Sequence, residues 1–275
     1  MNFMNKTNPI GFFDSGIGGL TVVKEVISKL PNENIVYFGD TARVPYGSKS
    51  NSTVIEYTLE AAHFLMKKNI KLLVVACNTA SSVALEELRK NINVPIVGMI
   101  EPGAKMALET TGNKNVGVIG TLSTINNKAY SNELKRLDAT INVVEKACPL
   151  FVPLAEEGWI DHPATTLIAE EYLSGFKKKN IDTLILGCTH YPVLAGVIQK
   201  VLGDEVKLIH SGVPSAKIVE DYLNGRGIRQ ISNQLGRYEF YVSDVPAKFK
   251  EIAERFLGRP VEHLHKIDLE ELIAQ

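Results

Sequence analysis

Two cysteines stand in closely similar surroundings: Cys77 in Val74-Val75-Ala76-Cys77-Asn78-Thr79-Ala80 and Cys188 in Leu184-Ile185-Leu186-Gly187-Cys188-Thr189-His190. Each follows a short apolar run, the pattern of a thiol leaving a strand end just before a helix begins. A thiol titrates at about 8.5 when free and lower at a helix N-terminus, which suits it to carry protons near neutrality. If two such units face one bound molecule, a thiolate removes a proton from one side and a thiol supplies one from the other. That arrangement inverts a stereocentre. Cys148, which precedes Pro149 without such a context, reads as a small buried hydrophobe.

The thiols need groups that set their protonation. Asp14 closes the first apolar run, at the sheet edge where such folds bind ligands, and serves there either as a site carboxylate or as a helix N-cap. His190, two residues beyond Cys188, is either a proton relay or an ordinary surface histidine. Gly16-Ile17-Gly18-Gly19 invites a dinucleotide reading, but Thr21 stands where the third glycine is required, and no phosphate-loop string occurs. A tight, amide-rich turn that receives a carboxylate is the better reading. Cys188 and His190 are two potential zinc ligands without the closely spaced cysteine pairs of structural zinc sites, so no metal is expected. The turn-rich loop Asp40–Gly47 follows the second strand and brings Tyr46 and Gly47 to the same edge as ligand contacts or as a plain connection.

These residues require an α/β frame. Apolar runs at Ile10–Phe13, Ile35–Phe38, Leu72–Ala76 and Ile96–Gly98 alternate with helical-period segments at Leu20–Leu30 and Ser52–Lys68, which predicts a parallel sheet covered on both faces. A second set has strands at Val116–Ile119, Leu184–Leu186 and Val206–Ile209, with helices near Asn126–Leu137, Thr165–Lys178 and Val193–Leu202. The two cysteines lie 111 residues apart. Ile96-Val97-Gly98 and Pro102-Gly103-Ala104-Lys105 are matched 112 residues later by Leu208-Ile209-His210 and Pro214-Ser215-Ala216-Lys217. Such constant spacing predicts a duplicated unit: two similar doubly wound parallel-sheet α/β domains with an active-site cleft between them.

After Ser211 a helix is expected at Ser215–Leu223, a strand at Tyr238–Val242, a helix near Ala247–Leu257 and a last strand near Val261–Leu264. This tail is expected to pack back on the first unit. The expected domains are therefore 1–98 plus 210–275 and 99–209, hinged near Gly98 and His210.

The 275 residues, 45% hydrophobic, suffice for two cores, and a net charge of −1 gives no nucleic-acid footprint. The polar N-terminus lacks the apolar stretch of a signal peptide and no run is long enough to span a membrane, so a cytoplasmic protein with three reduced thiols is expected. Charge runs at Glu86-Glu87 with Arg89-Lys90 and at Lys177-Lys178-Lys179 read as solvated faces.

Asp14-Ser15-Gly16, Pro45-Tyr46-Gly47, Ala76-Cys77-Asn78-Thr79-Ala80 and Gly187-Cys188-Thr189-His190-Tyr191-Pro192 together, in this order and spacing, resemble the bacterial glutamate racemases from about Ile10 to Ser211. The resemblance implies interconversion of L- and D-glutamate without pyridoxal phosphate or metal, with D-glutamate supplied for peptidoglycan, and a homodimer. It makes Cys77 and Cys188 the acid/base pair, with Asp14 assisting Cys77 and His190 assisting Cys188. Glu156 resembles the family's further carboxylate, with adjacent Glu157 as the alternative. It assigns substrate contacts to Asp14, Ser15, Tyr46, Gly47, Asn78, Thr79, Thr189 and His190. Aspartate and hydantoin racemases of the wider superfamily place the second cysteine similarly; His190 and the Pro45-Tyr46-Gly47 loop resemble the glutamate members more. Residue chemistry alone does not separate glutamate from aspartate, and a two-domain amino-acid binding protein is the non-enzymatic alternative.

Overall fold

The computed structural model describes residues 5–245 and 247–273. In chain order the elements are β1 (Ile10–Asp14), α1 (Leu20–Lys29), β2 (Ile35–Gly39), α2 (Asn51–Lys67), β3 (Leu72–Val75), α3 (Asn78–Val83), α4 (Leu85–Asn91), β4 (Ile96–Val97) and α5 (Ile100–Thr110). Then follow β5 (Asn115–Gly120), α6 (Leu122–Asn126), α7 (Ala129–Leu137), β6 (Asn142–Ala147), α8 (Phe151–Glu156), α9 (Pro163–Lys177), β7 (Thr183–Gly187), α10 (Ala195–Leu202) and β8 (Lys207–His210). The tail comprises α11 (Gly212–Gly225), β9 (Tyr238–Val242), α12 (Phe249–Leu257), β10 (Leu264–Lys266) and α13 (Leu269–Ile273).

The strands form two sheets, ordered β10-β9-β2-β1-β3-β4 and β6-β5-β7-β8. Every pairing is parallel. Strands β1, β2, β3 and β7 are buried along their whole length, as unbroken apolar runs between two helical layers must be. The order β2-β1-β3-β4 repeats as β6-β5-β7-β8, so β3 and β7, which deliver Cys77 and Cys188, occupy equivalent central positions. This is the duplication that the residue spacing predicts.

Each unit passes a helix to the other. After β4, α5 packs on α7, β7 and β8, while α11, which follows β8, packs on α1. The tail strands β9 and β10 join the first sheet beside β2, and α12 packs on α1. At the opposite end of that sheet from the cysteines, Lys71 is completely buried with Glu33, Nζ to Oε2 at 2.5 Å. The ammonium also donates to the carbonyls of Lys6 and Ile228, and Glu33 Oε1 accepts from the amide of Gln230. One ion pair thus ties the chain before β1, the β2 and β3 approaches and the start of the returning tail.

Several local expectations differ from the structure. The helix expected over Asn126–Leu137 is two helices, because Lys128 turns left-handed between them (φ 52°). The helix expected from Val193 starts with a tight 3-10 turn over Tyr191–Leu194. The last strand lies at Leu264–Lys266, displaced from Val261–Leu264. The elements that went unread include α5, α8, β6 and α13. Helices α5 and α8 carry prolines early in their sequences, which breaks the helical pattern to the eye although an N-terminal turn tolerates the missing N–H. The edge strand β6 is only partly buried, so it lacks a long apolar run. Among the described residues no helix is long and apolar enough to cross a membrane.

Candidate active site

The C-terminal ends of β1, β2, β3, β5 and β7 open on one cavity of about 350 Å³. From the first unit its walls include Ser15, Tyr46, Gly47, Cys77, Asn78 and Thr79; from the second they include Thr121, Glu156, Cys188, Thr189 and His190. A drug-sized ligand needs a pocket of about this volume or larger, so a small molecule fits well.

Cys77 is the N-cap of α3: its Sγ accepts from the Ala80 amide at 3.4 Å, and its thiol donates to Ser15 Oγ at 3.4 Å. Burial, and next the nearby Asp14 carboxylate, push the Cys77 thiol up to about 12, against the pull of those two hydrogen bonds. Both effects favour the protonated thiol at neutral pH.

Asp14 is fully buried behind Ser15 and is not part of the cavity wall. Its Oδ2 accepts from the Gly16 amide at 2.9 Å and its Oδ1 from Thr189 Oγ1 at 3.5 Å, so it joins the two units. Burial holds its carboxyl above the usual carboxylate range, while the His190 charge and the turn amides pull the other way. The N-cap position of α1 belongs to Gly19. The Gly16–Gly19 turn is packed tightly: Tyr37 donates its hydroxyl to Gly16 O at 2.9 Å.

His190 is buried, not a surface residue. Its Nδ1 lies 3.8 Å from Cys188 Sγ and its Nε2 2.8 Å from Glu156 Oε1. Burial pulls the imidazole down, but the hydrogen bonds to Cys188 and Glu156 and the charges of both raise it to about 10. At neutral pH it is an imidazolium with a donor at each nitrogen. Glu157 points elsewhere and pairs with Lys248 at the surface. The ring of Phe256, from α12, packs edge-on against His190 at 5.3 Å, and Arg255 donates to Glu156 O at 3.4 Å.

Thr79 Oγ1 lies 2.9 Å from Thr121 Oγ1 across the cleft. Gly47 abuts the same threonine, since a Cβ there would come 2.7 Å from Thr121 Cβ. Tyr46 lies at the cavity with its hydroxyl on Asp40 at 2.5 Å. Asp40 also accepts from Arg43 at 2.7 Å and from Ser243 at 2.8 Å. Thr121, the apolar wall of Pro149, Val152 and Pro153, and the Phe256 cover were not singled out from the sequence. Only Thr121 carried a local signal: it follows an apolar run and caps a helix, as Cys77 does.

Gly18 sits against the Thr189 hydroxyl and His190 Nδ1 so closely that a Cβ has no room. Gly18→Ala is expected to displace both groups from Asp14 and Cys188 and to lower kcat/KM at least tenfold while the thermal midpoint moves by only a few degrees. Steady-state kinetics beside a melting curve check this; wild-type kcat/KM contradicts it. Among the described residues no group of three or more His, Cys, Asp and Glu is arranged to hold a metal ion.

The family model for Asp/Glu/Hydantoin racemase matches residues 20–216. The glutamate racemase of Geobacter metallireducens is 52% identical over 261 residues, covering 95% of this chain and 97% of its own. That of Chlorobaculum tepidum is 49% identical, covering 93% and 94%. The crystal structure of glutamate racemase from Francisella tularensis in complex with D-glutamate superposes with a TM-score of 0.91 at 39% identity, covering 98% of this chain and all of that one.

Proposed function

The chain belongs to the Asp/Glu/hydantoin racemase family, among its glutamate racemases, and we propose that it inverts glutamate at Cα by proton transfer between Cys77 and Cys188. The observation that carries this reading is the placement of two thiols at equivalent strand ends on one cavity, each with its own partners.

In this mechanism the α-hydrogen of L- or D-glutamate leaves as a proton to a thiolate on one side. The electron pair left on carbon takes the proton of the opposite thiol. The stereocentre is inverted and the two cysteines exchange protonation states. His190, donating through Nδ1, is placed to hold the thiolate of Cys188, and Glu156 holds the ring through Nε2. Among the described residues no cationic side chain is bonded to Cys77; the α-ammonium of a bound amino acid supplies the positive charge that favours its thiolate. Asp14 orients the turn that carries Ser15 and, through Thr189, the second unit. Amides and hydroxyls at Ser15, Asn78, Thr79 and Thr189, with the Tyr46-Gly47 loop, receive the carboxylates. Carbanion character in the transition state is met by these fixed dipoles.

The domain division at Gly98 and His210, a homodimer, and cytoplasmic supply of D-glutamate to peptidoglycan belong to the same proposal. The activity is tested by following the optical rotation of L-glutamate and, separately, L-aspartate. Decay of the L-glutamate signal alone is expected; no decay, or preference for aspartate, refutes the substrate assignment.

Because Glu156 is one of the groups that raise His190 to about 10, Glu156→Gln moves the loss of the imidazolium proton to lower pH. The alkaline limb of kcat/KM is expected to shift down by roughly one unit, with the acid limb in place. The same sign governs stability: the contribution of the bound proton is complete below the free imidazole value of about 6.5 and disappears as pH rises through about 10. An unmoved alkaline limb in the variant removes His190 from the proton-holding role.

A further inference from the structure

We propose that Tyr130 is a positioning residue for substrate: its hydroxyl fixes the Asn78 amide so that the amide nitrogen faces the cavity as a donor to a substrate carboxylate. The inference rests on the reading of the cavity as the glutamate site.

Tyr130 comes from α7 of the second unit and is completely buried. Its hydroxyl donates to Asn78 Oδ1 at 2.7 Å, lies 2.7 Å from Ser211 Oγ, and is 3.4 Å from the Met99 carbonyl. A phenol has one proton. With that proton on Asn78, Ser211 is the donor to Tyr130, and a directed chain runs Ser211 to Tyr130 to Asn78. Burial raises the phenol above its ordinary value, so the proton needed for this chain stays in place.

The ring is closely packed. It lies between two glycines that leave little space beside it: a Cβ on Gly103 would lie 3.1 Å from Tyr130 Cε1, and one on Gly187 would lie 3.0 Å from Cε2. Asn78 lines the cavity. With Oδ1 engaged, its Nδ2 makes no hydrogen bond to any of the described residues and is the free end of the amide. Without the tyrosine hydroxyl the amide rotates or flips, and an oxygen then faces a carboxylate. Met99 and Ser211 precede α5 and α11, the helices that the two units exchange, so the chain of hydroxyls starts where the polypeptide crosses between units.

Tyr130→Phe removes the hydroxyl alone. The expected result is a KM for both glutamate enantiomers raised about five- to tenfold, with kcat within about twofold, as loss of one ground-state hydrogen bond predicts. The same substitution in an Asn78→Ala background is expected to add nothing, because the group it positions is gone. An unchanged KM, or an equal rise with and without Asn78, overturns the proposal. If Tyr130→Phe fails to fold, Ser211→Ala replaces it: a rise of about two- to threefold that vanishes in Asn78→Ala supports the chain, and no rise or a persistent one contradicts it. Wild-type turnover of glutamate in the same assay separates a failure of this inference from a failure of the site reading.

Discussion

Cys77→Ala and Cys188→Ala each lower racemisation in both directions by roughly 10³- to 10⁴-fold, the amount expected when a positioned acid or base is deleted. The effect is equal in kind but opposite in face. Each variant keeps one thiol, which still removes the α-hydrogen of the enantiomer presented to it and returns a solvent-derived hydrogen to the same side. Cys77→Ala is thus expected to exchange the α-hydrogen of one enantiomer without inversion, and Cys188→Ala that of the other. Proton NMR of each enantiomer in deuterated buffer reads this out. Substantial racemisation in either variant, or the same enantiomeric preference in both, contradicts the assignment of one thiol to each face.

The second large effect falls on stability. Lys71 and Glu33 are 0% and 1% exposed, so removing either partner strands a charge in the core. Lys71→Ala is expected to cost about 3–5 kcal/mol, measured as a lower urea midpoint with the slope retained. The double variant Lys71→Met with Glu33→Leu recovers much of that loss, because the desolvation of both charges is avoided. The folded fraction of each variant keeps wild-type kcat, since the pair lies at the far end of the sheet from the thiols. A loss below about 1 kcal/mol in Lys71→Ala shows the pair to be solvated and not the fastening described above.

Much of this was legible in the chain because buried parallel strands write themselves as continuous apolar runs. The runs at β1, β2, β3 and β7 carried the frame, and the 111-residue interval between Cys77 and Cys188 carried the repeat. Glycine punctuation and the polar residues beside each thiol placed Ser15, Asn78, Thr79 and Thr189 at one edge. What was not legible depends on three-dimensional exchange. Asp14, assigned to the ligand by the resemblance, is fully buried outside the cavity lining, where its carboxylate accepts from the Gly16 amide and the Thr189 hydroxyl. The choice between Glu156 and Glu157 turns on which side of α8 faces His190, and two adjacent glutamates do not record that. Phe256 reaches His190 only because α12 returns from the tail, and Tyr130 reaches Asn78 only because the units share their boundary.

The central claim is that the hydrogen removed and the hydrogen added belong to different thiols. Wild-type protein turning over L-glutamate in deuterium oxide tests it at the earliest conversions, when product has not yet returned. The account predicts that the first D-glutamate formed carries deuterium at Cα throughout while the unconverted L-glutamate keeps protium. D-glutamate that retains the substrate's own α-hydrogen, or an L-glutamate pool that exchanges ahead of product formation, would contradict it.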